Sequence, residues 1–417
     1  MFTALEPSQR PAVVMDCGTG FTKMGFAGNV QPSFIEPTAV SFESSRGRSK
    51  AAVSSASASD TDVLIGHEAV SSTASDAHYP VCHGLVQNWD HMERFWQEAV
   101  HRYLRVDSED HNFILTEPPL NPPENREMAA EIMFETFNVP GLCIGIQAVL
   151  ALHAAFAAAD RGPKSARGRM TGTVIDSGAG CTHVIPVSDG FVIGSAIQSI
   201  PIAGRDLTKL VQRLMRERGE PVPGDLSMDV AQQIKERYCY TCGDLVKEFG
   251  KYDAQLEKHA KSHSFWSPRA GAQQACSVQH ERFLAPELLF RPDFVSADYT
   301  TPLPQLVDRA IQSCPIDTRR GLYGNIVLSG GSTMFKDFGR RIQRDVSRAV
   351  DARQAPGGKA VEVHVASHAM QRYAVWFGGS VLGTMPQFEG LCKTRAEYEE
   401  YGPSICRNSA AFTDELL

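Results

Sequence analysis

The sequence predicts an α/β protein built from two similar lobes, and three observations carry that expectation. A short apolar strand runs straight into a glycine turn three times. Val13-Val14-Met15 meets Asp16-Cys17-Gly18-Thr19-Gly20, Val174-Ile175 meets Asp176-Ser177-Gly178-Ala179-Gly180, and Ile326-Val327-Leu328 meets Ser329-Gly330-Gly331-Ser332-Thr333. The first two turns share the pattern Asp-x-Gly-x-Gly, and each is followed by more strand-like sequence, as in a duplicated unit. Helical signals lie between the strands, so helices are expected to cover sheet faces. A chain of 417 residues is long enough for two cores of ordinary size.

Taken in order, the elements fill this frame. Residues 41 to 60 (SFESSRGRSKAAVSSASASD) offer almost nothing to bury and read as a surface loop inside a domain. Pro122 and Pro123 before Glu124 start a helix whose Ala129, Ile132, Met133 and Phe137 share one face, and Pro140-Gly141 ends it. A strand over residues 144 to 146 then leads into a helix beginning near Gln147. Residues 141 to 159 are apolar enough to resemble a membrane span. They contain Gln147 and His153 and open with a glycine-broken stretch, so they read as a buried strand and helix. Residues 258 to 278 show no clean period and read as an irregular insertion. Residues 355 to 359 (APGGK) read as a turn before a strand over 361 to 365.

Composition narrows the function classes. Apolar residues at 42% and charged residues at 21% describe a soluble globular chain, and a net charge of -7 spread along it argues against nucleic acid as a partner. Ten cysteines without a framework spacing, and no Asn-x-Ser/Thr acceptor, point to the reduced cytosol. Cys239 and Cys242 form a C-x-x-C with no second pair to complete a zinc set, and they read as buried thiols.

The turns have a chemistry of their own. A phosphate chain needs closely approaching backbone N–H donors, and glycine lets the backbone come near. An aspartate at a strand end suits a hydrated magnesium ion, which takes only one or two carboxylates. Asp16 and Asp176 are the candidates, with Lys23 reaching back as a point charge. Either turn alone reads equally as a tight hairpin with Asp as a turn residue, and Lys23 as a surface lysine; the pairing of the two turns favours phosphate. The third turn, with Met334 and Phe335 after its diglycine, could wall a flat base or simply cap a helix. Neither a G-x-x-x-x-G-K-[ST] loop nor a complete dinucleotide fingerprint with its acidic residue occurs.

At these residues the chain resembles the actin, sugar kinase and heat-shock chaperone superfamily, and within it the actin family. The blocks DCGTGFTKMGFAGN, HGLVQNWDHMERFW, LTEPPLNPPENREMAAEIMFETFNVPGL, IQAVLAL, IPIAGRDLT, KERYCY, NIVLSGGSTMFKDFGRR and RYAVWFGGS read as actin-family sequence, in order, from residue 16 to 380. The fuller wording of several, with CPID and the ending YEEYGPSICR, narrows the resemblance to one kind of actin-related protein. The resemblance implies an actin-like fold, two duplicated ribonuclease H-like lobes in four subdomains around a nucleotide cleft. The first subdomain would take residues 1–36, 79–154 and 374–417, the second 37–78, the third 155–202 and 299–373, and the fourth 203–298.

It also implies roles for residues at matching positions. Gly18, Thr19, Gly20 and Lys23 would contact the phosphates of ATP or ADP, with Gly178 and Gly180 closing on them. Asp16 and Asp176 would sit near Mg2+, through water. Gly204, Arg205, Lys235, Glu236, Gly330, Gly331, Met334, Phe335 and Arg372 would line the ribose and base. Gln147 and His183 would position the water that attacks the terminal phosphate, a reaction that rests mostly on positioning and electrostatics; without the resemblance His183 reads equally as a satisfied core histidine. One position departs from the family. Ala179 stands where its members typically carry aspartate, so ATP binding is expected with weak or absent turnover.

The function implied is that of a structural nucleator in the cytoplasmic actin cytoskeleton. Expected partners are a second actin-related protein and other subunits of a hetero-oligomeric complex, actin filaments, and nucleation-promoting factors, with no nucleic acid and no membrane span. The 41 to 60 and 258 to 278 segments would replace polymer contacts of ordinary actin. A small-molecule kinase of the superfamily would need a carboxylate base beside its acceptor, which no motif announces. A chaperone ATPase would need a peptide-binding domain. A conventional actin or a nuclear relative is the remaining alternative.

Overall fold

A computed structural model describes residues 10–43, 62–72, 76–158, 170–353 and 360–408. The chain forms two compact units, Met1–Gly168 with Tyr373–Leu417, and Arg169–Arg372.

In the first unit, β1 (Val13–Cys17), β2 (Phe21–Phe26) and β3 (Phe34–Pro37) form an antiparallel meander. β4 (Phe113–Glu117) runs parallel beside β1, β5 (Gly141–Ile146) parallel beside β4, and Lys393–Thr394 closes the edge. Successive side chains of a strand point to opposite faces, and β1 uses both. Val13 and Met15 enter a core with Met24, Phe95 and Phe113. Val14 turns toward the helix Ala374–Leu382, which packs on the helix Gln147–Ala158. That packing is close because the contact residue has no side chain: a Cβ on Gly378 would lie 1.9 Å from the Leu150 carbonyl oxygen.

In the second unit, β6 (Gly172–Ser177), β7 (Thr182–Ser188) and β8 (Phe191–Val192) repeat the meander. β9 (Ile326–Ser329) lies parallel beside β6, and β10 (Val365–Ala366) beside β9. The path is that of the first unit, a meander with parallel strands added on the outer side of its first strand, so the duplication read from the two turns is a duplication of sheets. Ile175, Val184, Ile326 and Leu328 form its core with the helix Phe338–Asp351, whose Phe338, Ile342, Val346 and Val350 recur every four residues as one buried stripe.

Several expectations change in detail. The apolar segment is the predicted strand and helix, though the strand begins at Gly141 rather than 144, and no helix among the described residues is long and apolar enough to cross a membrane. The helix from Pro123 ends as an α-helix at Glu131 and continues as a wider turn, Ile132–Thr136. The strand expected over 361 to 365 is only Val365–Ala366, because β9 offers it two register partners; the turn at 355 to 359 lies outside the described residues. Residues 41 to 43 of the expected loop are strand instead, since Val40–Glu43 pairs with Asp62–Ile65, and residues 44–60 lie outside the described ones.

The segment 258 to 278 is not irregular. It is a hairpin, Lys261–Ser267 against Ala272–Val278, with Phe265, Cys276 and Val278 turned into a third apolar cluster. Its period was hidden because two of the inward positions of its first strand are His263 and Ser267, both buried.

Candidate functional site

The turn between β1 and β2 closes when the Gly18 N–H donates to the Phe21 carbonyl at 3.2 Å. Thr38 Oγ1 holds the same turn by donating to the Gly18 carbonyl at 2.7 Å, and Thr38 N–H donates to the Gly20 carbonyl at 3.1 Å. Thr19 Oγ1 accepts from the Gly84 N–H at 2.8 Å. These bonds fix the Gly18 and Gly20 carbonyls and hold the turn in one conformation.

Asp16, at the end of β1, is 3% exposed and takes donors from three elements. Lys23 Nζ lies 2.9 Å from Oδ2, Thr116 Oγ1 donates to Oδ1 at 2.6 Å, and Gln147 Nε2 stands 3.4 Å from both Oδ1 and Thr116 Oγ1. Each partner follows from the topology. Lys23 is opposite Asp16 in the β1–β2 register, Thr116 is on the parallel neighbour β4, and Gln147 opens the helix that follows β5. Lys23 is therefore an ion-pair partner of a buried carboxylate, not a solvated surface lysine.

The second unit repeats the construction. The Gly178 N–H donates to the Cys181 carbonyl at 3.3 Å, three residues on, as Gly18 does to Phe21. The Gly178 carbonyl accepts from the Gly204 N–H at 3.0 Å and from Ser332 Oγ at 2.7 Å, and the Ala179 carbonyl accepts from the Arg205 N–H at 2.8 Å. The start of the helix Gly204–Glu217 is thus tied to the turn, and Lys235 ties it from the other side, donating to the Gly204 carbonyl at 3.0 Å and to Thr208 Oγ1 at 2.9 Å. Burial pulls the Lys235 pKa down, with Glu236 opposing. Asp176 is opposite His183 in the β6–β7 register and beside Ser329 in the β6–β9 register.

His183 is 8% exposed. Its Nε2 stands 3.0 Å from Cys181 Sγ, and its Nδ1 is buried with no hydrogen-bond partner. Burial holds its pKa below the ordinary imidazole value, with the Asp176 charge opposing.

At the third turn Gly330 has φ +88°, and a Cβ there would lie 2.3 Å from the Ser177 carbonyl oxygen, so β9 can close on the end of β6 only with glycine. Gly331–Thr333 is a single helical turn, and Gln371 braces it through Nε2 to the Thr333 carbonyl at 3.0 Å. Met334 is half exposed, whereas Phe335 packs against two apolar clusters. Glu236 accepts from Gln232 at the surface, and Arg372 is exposed in the turn Gln371–Tyr373.

The first unit therefore gathers Asp16, Gly18, Thr19, Gly20, Lys23 and Gln147, and the second gathers Gly178, Gly204, Arg205, Lys235, Gly330 and Gly331. Sequence reasoning missed Thr38 and Thr116, ordinary-looking threonines that only topology brings to the turn. It also missed Cys181, which precedes β7 and comes within 3.0 Å of His183 Nε2. Among the described residues no group of three or more His, Cys, Asp or Glu could hold a metal. Single strand-end carboxylates suit a magnesium ion that keeps most of its waters, not a caged transition metal.

A sequence model of the family described as Actin matches residues 8–224 and 226–410. The chain belongs to the actin family, whose members generally bind ATP or ADP with Mg2+. Within the family it is similar to the actin-related protein 3 of Dictyostelium discoideum, 56% identical over 95% of this chain and 96% of the relative. It is 53% identical to actin-related protein 3 of Drosophila melanogaster over 96% of this chain and 98% of that one, and 52% identical to that of Oryza sativa subsp. indica over 98% and 99%. The narrower resemblance read from the sequence blocks is thereby borne out.

Proposed function

We propose that this chain is an ATP-binding subunit of a complex with actin-related protein 2, which starts branched actin filaments by mimicking a filament end in the cytoplasmic actin cytoskeleton. The observation that carries this reading is identity of 52–56% to actin-related protein 3 chains along nearly the whole length of each. Subdomain boundaries are proposed to follow those of the family, as expected from the resemblance.

In this reading Gly18, Thr19, Gly20, Gly178 and Gly180 contact the phosphates of ATP or ADP, with Lys23 shared between Asp16 and a phosphate oxygen. Asp16 and Asp176 orient the waters of Mg2+, which when bound offsets phosphate charge. Gly204, Arg205, Lys235, Glu236, Gly330, Gly331, Met334, Phe335 and Arg372 line the ribose and base. Gln147 and His183 orient the attacking water. Ala179 leaves one carboxylate fewer to hold water by the phosphates, so the nucleotide acts as a conformational ligand and stabilises the arrangement it binds best.

Native purification tests the proposal. A stable hetero-oligomer containing actin-related protein 2, which shortens the lag of actin polymerisation and makes branches when nucleation-promoting factors and filaments are added, supports it. A monomer that phosphorylates a sugar, or one that forms filaments alone, overturns it.

A further inference from the structure

The helix Phe338–Asp351 buries one stripe and turns another face to a cavity of about 490 Å³. Arg340, Gln343, Arg344 and Ser347 line the cavity from the helix, three or four residues apart as a single helical face requires. Val365, on the end strand β10, and Ser367 just after it line the other side. The volume is that of a small-molecule site. All six residues lie in the second unit, and none belongs to the nucleotide set described above.

The lining is chemically one-sided. It holds two guanidiniums, an amide, two hydroxyls and one apolar side chain, Val365, and no carboxylate. Gln343 Oε1 accepts from the Val365 N–H at 3.3 Å, which leaves the Nε2 donors of that amide. Arg344 commits two of its five donors, to Asp345 Oδ1 at 2.8 Å and to the Gly243 carbonyl at 2.6 Å, and these bonds hold its guanidinium in place. Ser367 Oγ gives its proton to Gln371 Oε1, so the cavity's donors come from the helix. The Arg340 side chain is 85% exposed and stands 3.0 Å from Asp337. Arg348 continues the row one turn beyond Arg344. Asp345 lies among three guanidiniums, 2.6 Å from Arg341, 2.8 Å from Arg344 and 3.6 Å from Arg348, so one carboxylate faces three cations.

We propose that this cavity binds a small ligand carrying two or more phosphate groups on a compact polar scaffold, whether a free polyphosphorylated alcohol or the headgroup of a phosphorylated lipid. Residues four apart on a helix are separated by about 6 Å along its axis, so Arg340 and Arg344 each take a separate phosphate. A guanidinium fork matches phosphate oxygens two at a time, which a lysine cannot do. The Gln343 amide adds neutral donors between them. With Val365 as its one apolar side chain, the lining gives a flat base or an acyl chain little to bury against, so the phosphates are the recognised part.

The test titrates inositol hexakisphosphate into the purified native assembly by calorimetry, with ATP in excess and at about 0.15 M salt, where exposed charges are screened. Saturable binding is expected, and Arg340→Gln is expected to weaken it about tenfold, the loss of one hydrogen bond to a charged group. Arg340 is exposed, so this variant keeps its fold, whereas Arg344→Gln also loses the Gly243 contact and serves as a second variant. Arg395→Gln, a surface arginine of the first unit paired with Glu399, is expected to leave the affinity unchanged. A second arm floats the assembly with phosphatidylcholine vesicles, with and without phosphatidylinositol bisphosphate. Flotation only with the bisphosphate, lost in Arg340→Gln, supports the site with a lipid headgroup as its ligand. Binding of the hexakisphosphate without flotation supports it with a free ligand. No saturable binding in either arm, an unchanged affinity in Arg340→Gln, or an equal loss in Arg395→Gln overturns the proposal.

Discussion

Lys23 and His183 hold the same place in their two sheets. Each stands across the second strand from the aspartate near the end of the first, Lys23 opposite Asp16 and His183 opposite Asp176. The duplicated frame thus presents a lysine side chain at one aspartate and a buried imidazole at the other.

Replacing Lys23 by Met leaves the Asp16 carboxylate, 4% exposed, without its cation. Removing one partner of a buried pair costs about 3 kcal/mol or more, mostly through the charge left behind. Lys23→Met is therefore expected to lower the urea midpoint strongly, and Lys23→Met with Asp16→Asn to recover much of the loss. A double-mutant cycle in urea checks this; additive effects of the two changes would show that the pair is not coupled.

Gly330 and Gly331 are adjacent and are expected to respond very differently to alanine. At Gly330 the left-handed backbone and the 2.3 Å approach to the Ser177 carbonyl together cost about 3 kcal/mol. At Gly331 a Cβ meets nothing within 4 Å, and the change is expected to stay within about 0.5 kcal/mol. Thermal unfolding of both variants distinguishes them. Equal midpoints would contradict this account of the third turn.

What was legible in the sequence were the features that repeat or alternate: the two Asp-x-Gly-x-Gly turns, the β1 and β6 strands before them, and the apolar Gly141–Ile146 strand with its helix. What was not legible depended on partners distant in the chain. Thr116 is an unremarkable strand residue until β4 pairs with β1, exactly 100 positions away from Asp16 in sequence. Lys235 gave no sign in the sequence of its tie to the helix that Gly204 opens, 31 positions away. The 261–278 hairpin hid its period behind inward His263 and Ser267, because a polar residue covered by neighbours reads as solvent-facing in one dimension.

His263 has a consequence for acid stability. It is fully buried in that hairpin, its ring edge-on to Tyr238, and both ring nitrogens lack hydrogen-bond partners. Burial lowers its pKa in the folded state, and Arg237 lowers it further. The unfolded chain therefore binds the proton more readily. The stability from keeping this ring neutral is fully present above the unfolded value of about 6.5 and is lost as pH falls below it. His153, His183 and His368 are shifted the same way by burial, so the chain is expected to lose stability steadily on mild acidification. Denaturant midpoints between pH 7.5 and 5 measure the slope, and His263→Phe is expected to flatten part of it. An unchanged slope in that variant would remove His263 from the account.

The central claim is that the paired turns hold a nucleotide that is turned over slowly because Ala179 supplies no carboxylate. The direct test is bound-nucleotide analysis with a single-turnover ATPase assay on the native complex, alongside the same complex carrying Ala179→Asp. The account predicts ATP or ADP retained at one per chain, slow hydrolysis in the native complex, and faster magnesium-dependent hydrolysis in Ala179→Asp. A chain that retains no nucleotide, or equal hydrolysis rates in the two complexes, would contradict it.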